Sequence, residues 1–294
     1  MPKLAIVTPS YNRANLLPRL YNSLRKQTNF SFKWYIVDDG SSDNTNEVCG
    51  AFETDKFEIV YLKKINGGKH TALNFAYDYI SEELTIIIDS DDWLLSDGVA
   101  TILTDWKEYF DDENIGSLSY CKCNTEGHVV GDSFKKNYYL SDHIHYIINE
   151  RVKGDKAEVF KTLALRTHPF PVVAGERFLS EAVSWVSIAL EYKTVYINKA
   201  FYCCEYLNDG LTSLGRRNLI NNPRGYIEHA KAYMSKGVKQ SIQMKYMLMY
   251  IAASNLAGLS VLEMFRTCPR RGKFAICFPA GFMLYFYWSQ KYKS

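Results

Sequence analysis

Short apolar runs bounded by polar clusters dominate the first third of the chain. Leu4-Ala5-Ile6-Val7, Trp34-Tyr35-Ile36-Val37, Phe57-Glu58-Ile59-Val60-Tyr61-Leu62 and Ile86-Ile87-Ile88 each have a buried strand's length and β-branched or aromatic content. Between them the spacing changes to that of a helix. Leu16, Leu17, Leu20 and Leu24 form one apolar face running to about Gln27, and Asp43 or Thr45 caps a short helix through Cys49. Asn66-Gly67-Gly68-Lys69 turns into a helix whose face carries Leu73, Ala76, Tyr77 and Ile80. This alternation predicts a parallel sheet with helices on both sides. Further on, the pattern predicts a helix over 96–110, a strand near 118–122, a helix bearing Val183, Val186, Ile188 and Leu190, and a strand over 192–198. Residues 246–262 carry no charge and read as one apolar helix.

Each of the four early strands ends in polar residues: Thr8 to Arg13, Asp38-Asp39, Asn66 to Lys69, and Asp89-Ser90-Asp91-Asp92. Ligands of open α/β sheets bind beyond the carboxyl ends of the strands, so four such ends would converge on one nucleotide-sized site. Three carboxylates in four positions repel one another unless a cation offsets them. Asp89 and Asp91, with Asp92 nearby, read as a metal–diphosphate site, because hard cations take oxygen ligands and share them with phosphates. The other reading of the cluster is a solvated turn capping the next helix.

Composition adds an asymmetry. The 294 residues carry a net charge of +3, but residues 1–215 hold 22 Lys and Arg against 30 Asp and Glu, and residues 216–294 hold 13 against 2. A basic tail on an acidic body suggests an anionic partner. Large aliphatic blocks between the basic residues point away from nucleic acid. Seven cysteines without a zinc-like spacing read as free thiols of a reducing compartment. Met1-Pro2-Lys3 leads straight into a strand without a signal peptide's apolar stretch, and the expectation is a cytoplasmic body.

Thr8-Pro9-Ser10-Tyr11-Asn12-Arg13, Val37-Asp38-Asp39-Gly40-Ser41-Ser42-Asp43, Asn66-Gly67-Gly68-Lys69 and Asp89-Ser90-Asp91-Asp92, in this order, resemble the successive signatures of family 2 glycosyltransferases. The resemblance is strong over residues 1–122 and looser to about 213. It implies a GT-A (Rossmann-like) α/β fold, a mainly parallel sheet flanked by helices. It also implies a nucleotide-sugar donor, an Mn²⁺ or Mg²⁺ ion and inversion at the anomeric carbon. Thr8, Pro9, Tyr11 and Arg13 would line the nucleobase and ribose pocket, and Asp39 would meet the base, usually uracil. Asn66 and Lys69 would hold the base or diphosphate side. Asp89 would face the ribose or the metal, Asp91 would ligate the metal and Asp92 would touch the donor sugar. An acidic residue opening a helix in the second half serves as base in this family. Glu181 takes that place, with Glu176 as its rival; the usual Glu-Asp pair is missing. Thr212 or Ser213 would close over the diphosphate, and no Q-x-x-R-W motif of processive synthases is present.

The resemblance divides the chain into a glycosyltransferase domain over 1–215 (nucleotide half 1–95, acceptor half 96–215) and a helical extension over 216–294. The extension's last apolar run, 274–288, is 15 residues long and contains Pro279 and Gly281. A bilayer span takes ~20 residues, so this run is short. Aromatic residues flanked by cations instead suit a peripheral position on an anionic membrane through residues 244–294, on the inner face of the cell membrane. The expected activity is transfer from a UDP-sugar to a lipid-linked or growing surface glycan, for instance on a polyprenyl carrier. Two alternatives stand beside it. One is a sugar nucleotidyltransferase, whose Gly-rich loop after the first strand is missing. The other is a catalytically silent member of the fold acting in membrane assembly.

Overall fold

The computed structural model describes residues 3–205 and 215–292; Thr212 and Ser213 lie outside the described residues. Nine strands form one sheet: β1 (Leu4–Ser10), β2 (Phe32–Asp38), β3 (Glu58–Lys63), β4 (Leu84–Ile87), β5 (Trp93–Leu94), β6 (Ile115–Cys123), β7 (Tyr139–Ser141), β8 (Lys156–Lys161) and β9 (Lys193–Cys203). Their order is β3-β2-β1-β4-β8-β6-β9-β5, with β7 on β9. The first four strands pair in parallel, as the alternating pattern predicts. The second half is mixed: β8 runs antiparallel between β4 and β6, while β6 and β9 are parallel.

Parallel strands need cover on both faces, and every residue of β1 is buried. Ile86 and Ile88 are likewise fully buried, whereas Ile87 is only half-buried. The cover comes from α1 (Leu17–Leu24), α2 (Thr45–Gly50), α3 (Lys69–Tyr77), α4 (Gly98–Trp106) and α5 (Thr162–Thr167). Proline in the first turn of α1 fits a position whose N–H has no helical partner. This helix stops three residues before Gln27. The Gln27 side chain donates to the Leu95 carbonyl at 2.8 Å and accepts from the Val99 N–H at 3.0 Å, tying the end of α1 to the start of α4.

The chain divides into two units that are discontinuous in sequence. The sheet unit comprises residues 1–142, 151–169 and 191–205; the helical unit comprises 143–150, 170–190 and 206–294. This differs from the continuous ranges 1–215 and 216–294 expected from sequence, because two inner segments pack with the C-terminal helices. One is a π-helical turn, His143–Ile148, and the other carries α6 (Ala182–Ala189). Ile144, Ile148 and Val186 share a small core with Ala232, Val238 and Ile242.

The rest of the helical unit is α7 (Gly215–Asn221), α8 (Pro223–Ala232), α9 (Gln240–Leu256), α10 (Val261–Thr267) and α11 (Arg271–Tyr292). Its main core gathers Tyr226, Met247, Tyr250, Ile251, Met264 and Trp288. The apolar stretch 246–262 is two helices, not one. Gly258 breaks it at φ +74°, and Ser260 starts α10 with a capping box, its hydroxyl accepting from the Glu263 N–H while Glu263 accepts from the Ser260 N–H. All seven cysteines are free and buried.

Candidate functional site

The polar ends of β1, β2 and β4 and the start of α3 meet in the sheet unit. Two loops are joined first by Asn12, a residue in the left-handed region at φ +52°. Its Oδ1 accepts from the Ser42 N–H at 2.8 Å, and its own N–H donates to Ser41 Oγ at 2.9 Å. The Ala14 N–H donates to Asp43 at 3.2 Å. The loop after β1 and the loop after β2 thus hold one another. Asp38 is buried at the end of β2, which pushes its carboxyl up. Hydrogen bonds from Ser41 and Tyr61, with the Lys63 charge, outweigh the burial and set its pKa below the ordinary value.

Asp39 is 3% exposed and organises the turn before α3. Its Oδ1 accepts from Lys64 Nζ at 2.7 Å and the Gly67 N–H at 3.0 Å, and its Oδ2 accepts from the Gly68 N–H at 2.7 Å. Gly68 has φ +93°, a conformation glycine takes without a Cβ penalty, and so delivers that N–H. Gly40, at φ +78°, leaves no room for a side chain, since a Cβ would stand 2.7 Å from the Asn66 nitrogen. One lone-pair position on Asp39 Oδ2 remains for a donor such as a base N–H.

The first turn of α3 brings Lys69 onto Asp89, with Nζ 2.5 Å from Oδ1. Burial raises the Asp89 pKa, but Lys69 and Lys122 outweigh it and hold the group below its ordinary value. Asp91 is raised, first by burial and then by the charge of Asp89, with Arg13 and Lys69 acting in the opposite sense. Asp92 is pushed up to about 6 by burial and the neighbouring carboxylates, against the pull of Lys122 at 3.6 Å and of Tyr202. One oxygen from each of Asp89, Asp91 and Asp92 lies within 4.8 Å of the others. Two of these three carboxylates are raised by burial and repulsion, and all offer oxygen alone. Such a set fits a hard divalent cation, which would relieve that repulsion.

Of the residues expected at the site, Pro9, Tyr11, Arg13, Asp39, Asn66, Lys69, Asp89, Asp91 and Asp92 lie on these converging ends. Thr8 differs. It is fully buried and its hydroxyl accepts the Trp34 indole N–H at 2.9 Å, so its side chain braces β2 rather than offering a free hydroxyl. Tyr11 is half exposed, and Asn66 Oδ1 is buried without a hydrogen-bond partner among the described residues. Glu181 and Glu176 belong to the helical unit. Glu181 is the N-cap residue of α6. The Glu176 carboxylate accepts from the Arg224 and Gly225 N–H groups at 2.8 and 2.6 Å, which binds it to the start of α8.

Sequence reasoning missed several partners. Lys64 neutralises Asp39. Tyr202 takes the Asp89 N–H at 3.1 Å and hydrogen-bonds Asp92. Arg19 holds the Asp91 carbonyl and Glu205, and the Glu205 N–H donates to Asp92 at 3.3 Å. Lys122 and Tyr202 sit on β6 and β9, far along the chain, and no local motif marks them. Arg19 had a weak signal, as a cation on the polar side of α1.

Among known proteins, the chain is 27% identical over 68% of its length to glycosyltransferase GlyA of Streptococcus pneumoniae, spanning only 30% of that protein. It is 28% identical to the GalNAc(5)-diNAcBac-PP-undecaprenol β-1,3-glucosyltransferase of Campylobacter jejuni, over 79% of this chain and 74% of that one. The crystal structure of S. aureus TarS 1-349 in complex with UDP-GlcNAc has the same fold, with a TM-score of 0.64 and 18% identity, over 98% of this chain and 92% of that one. A mannosyltransferase from Pyrobaculum calidifontis, in complex with GDP-Man and Mn²⁺, matches at a TM-score of 0.55 and 16% identity, over 97% and 87%. These matches bear out the GT-A α/β fold. Residues 5–164, more than half of the chain, match the model of glycosyl transferase family 2, and the chain belongs to that family.

Proposed function

We propose that this glycosyltransferase moves a sugar from a UDP-sugar to a lipid-linked or growing glycan with inversion. The observation that carries the reading is the convergence of the Asn12-linked loops, Asp39 and the Lys69–Asp89 pair beside three crowded carboxylates. Tyr11 offers an exposed ring for a base, and Asp39 Oδ2 has capacity for the base N–H. Lys69 and Arg13 bring positive charge toward a diphosphate, as Coulomb attraction favours. Asp91 and Asp89 would hold Mn²⁺ or Mg²⁺, which supplies charge neutralisation for the departing diphosphate. Asp92 would meet the donor sugar. The relatives support the donor and acceptor classes: TarS has been crystallised with UDP-GlcNAc, and the Campylobacter protein is named for an undecaprenol-linked acceptor.

The reaction is one displacement. The acceptor oxygen bonds to the anomeric carbon as the sugar–phosphate bond breaks, and the electron pair leaves with the nucleoside diphosphate. The acceptor proton passes to a carboxylate base. Glu181 is the favoured base, because it stands at the N-cap of α6, where the family carries an acidic residue opening a helix; Glu176 is its rival. Thermal unfolding with UDP and a divalent cation tests the donor site. A ligand at a hundredfold its Kd adds ~2.7 kcal/mol. Stabilisation by UDP that needs the cation and disappears in Asp91→Asn is the expected result. A folded protein that no nucleotide stabilises would favour the catalytically silent reading.

A further inference from the structure

Helix α11 has an unusual distribution of apolar residues: they surround it, yet only one side is packed. Phe274, Cys277, Gly281 and Trp288 are buried, facing the neighbouring helices of their unit. The opposite side, at the same helical spacing, carries Ile276, Pro279, Phe282, Met283, Phe286 and Tyr287, all exposed. Ile276 is 75% exposed, Met283 65% and Phe286 50%, so this is an outward face and not a seam half closed by neighbours. From 276 to 287 it runs for about 17 Å at 1.5 Å per residue. An apolar stripe of this length on a helix is a mark of an interaction surface.

Charge identifies the occupant. Arg270, Arg271 and Lys273 stand at one end of the stripe and Lys291 at the other, and α11 contains no carboxylate. The Arg270 guanidinium donates to the Met234 carbonyl, the Arg271 guanidinium to the Arg266 carbonyl and the Lys273 ammonium to Gln243. Those acceptors are neutral, and among the described residues none of the three cations is paired with a carboxylate. A symmetric pairing of two copies through this face would set cation against cation whichever way the helices ran. Residues 216–294 hold only Glu228 and Glu263 to offset it, and Glu263 is taken up in its own capping box. An anionic surface that is apolar beneath its charges matches both features. No helix among the described residues is long and apolar enough to cross a membrane, and the inner side of α11 is committed to its own unit.

We propose that the outer face of α11 docks in the plane of an anionic lipid bilayer, with Ile276, Met283 and Phe286 entering the acyl boundary and the flanking cations on headgroups. The inference extends the lipid-linked acceptor reading, but its test does not depend on it.

The full chain would be cosedimented with vesicles of phosphatidylcholine alone and of phosphatidylcholine with about one third phosphatidylglycerol, a fraction that gives the surface a negative potential. Wild type is compared with Ile276→Asp/Met283→Asp/Phe286→Asp and with Arg270→Glu/Arg271→Glu/Lys273→Glu. Circular dichroism and thermal unfolding check that each variant is folded. The expected result is binding to anionic vesicles at least tenfold tighter than to neutral ones, weakened at least tenfold in each folded variant. Absence of wild-type binding, or undiminished binding by the folded apolar variant, overturns the proposal. So does a wild-type dimer in sedimentation velocity that the apolar substitutions dissociate, since that assigns the face to a second copy. UDP-dependent stabilisation of the same samples reports on the donor site separately.

Discussion

Replacing Asp39 with asparagine keeps the shape of the side chain but removes its charge and turns one acceptor into a donor. The Lys64 ammonium, whose side chain is 17% exposed, then loses its counter-charge. Either the Gly67 or the Gly68 N–H also meets an N–H instead of an oxygen. Removing one partner of a buried pair costs about 3–5 kcal/mol. Lys64 keeps the Ile65 carbonyl at 2.6 Å and Thr71 Oγ1 at 2.9 Å, so the loss falls at or just below the low end of that range here. A loss of about 2–3 kcal/mol corresponds to a fall in melting temperature of about 5–10 °C for a unit of this size. Scanning calorimetry without nucleotide measures it. The double variant with Lys64→Met should lose less than the sum of the single losses by about 1.5 kcal/mol or more, as coupled neighbours do. Losses that add within about 0.5 kcal/mol, or an Asp39→Asn variant as stable as wild type, would refute the assignment of Asp39 as organiser of this turn.

Glu181→Gln should lower sugar transfer about a hundredfold or more, as loss of a general base does. Glu176→Gln should keep transfer and instead destabilise the start of α8 by about 1 kcal/mol; steady-state rates and melting temperatures separate the two. In cation-free buffer the raised pKa values of Asp91 and Asp92 mean that the native state binds more protons than the unfolded chain between about pH 4 and 6. Their contribution to stability is therefore present below that window and is lost as pH rises through it. Asp92→Asn should flatten this part of a pH series of melting temperatures. Gly281→Ala places a Cβ 2.7 Å from the Ile251 Cβ, and the resulting overpacking should cost about 1–3 kcal/mol in thermal unfolding.

What could be read in the sequence was what short-range pattern determines. Leu17, Leu20 and Leu24 are buried on one helix as their spacing requires, and the four early strands fall within three residues of their apolar runs, β1 running on through Thr8 to Ser10. The Asp89–Asp92 turn follows its strand as the motif implies. Long-range pairing was not legible. Nothing local announces that Tyr202 would reach Asp92 across 110 residues, or that 143–150 and 170–190 would leave the sheet for the C-terminal helices. One miss had a visible cue: Ser260-Val261-Leu262-Glu263 spells a capping box inside the stretch read as continuous helix. The outer face of α11 was hidden for a different reason. An all-round apolar helix gives no periodicity, so the sequence cannot say which side its neighbours will cover.

The Asn12 amide has a consequence for any attempt to change donor preference. Because one side chain spans both strand-end loops, residues 8–13 and 38–43 form a single interlocking part. A transplant of either segment alone from a relative would leave Asn12, Ser41 and Ser42 facing strangers, and a failed graft would say nothing about the base. The unit of exchange is the pair.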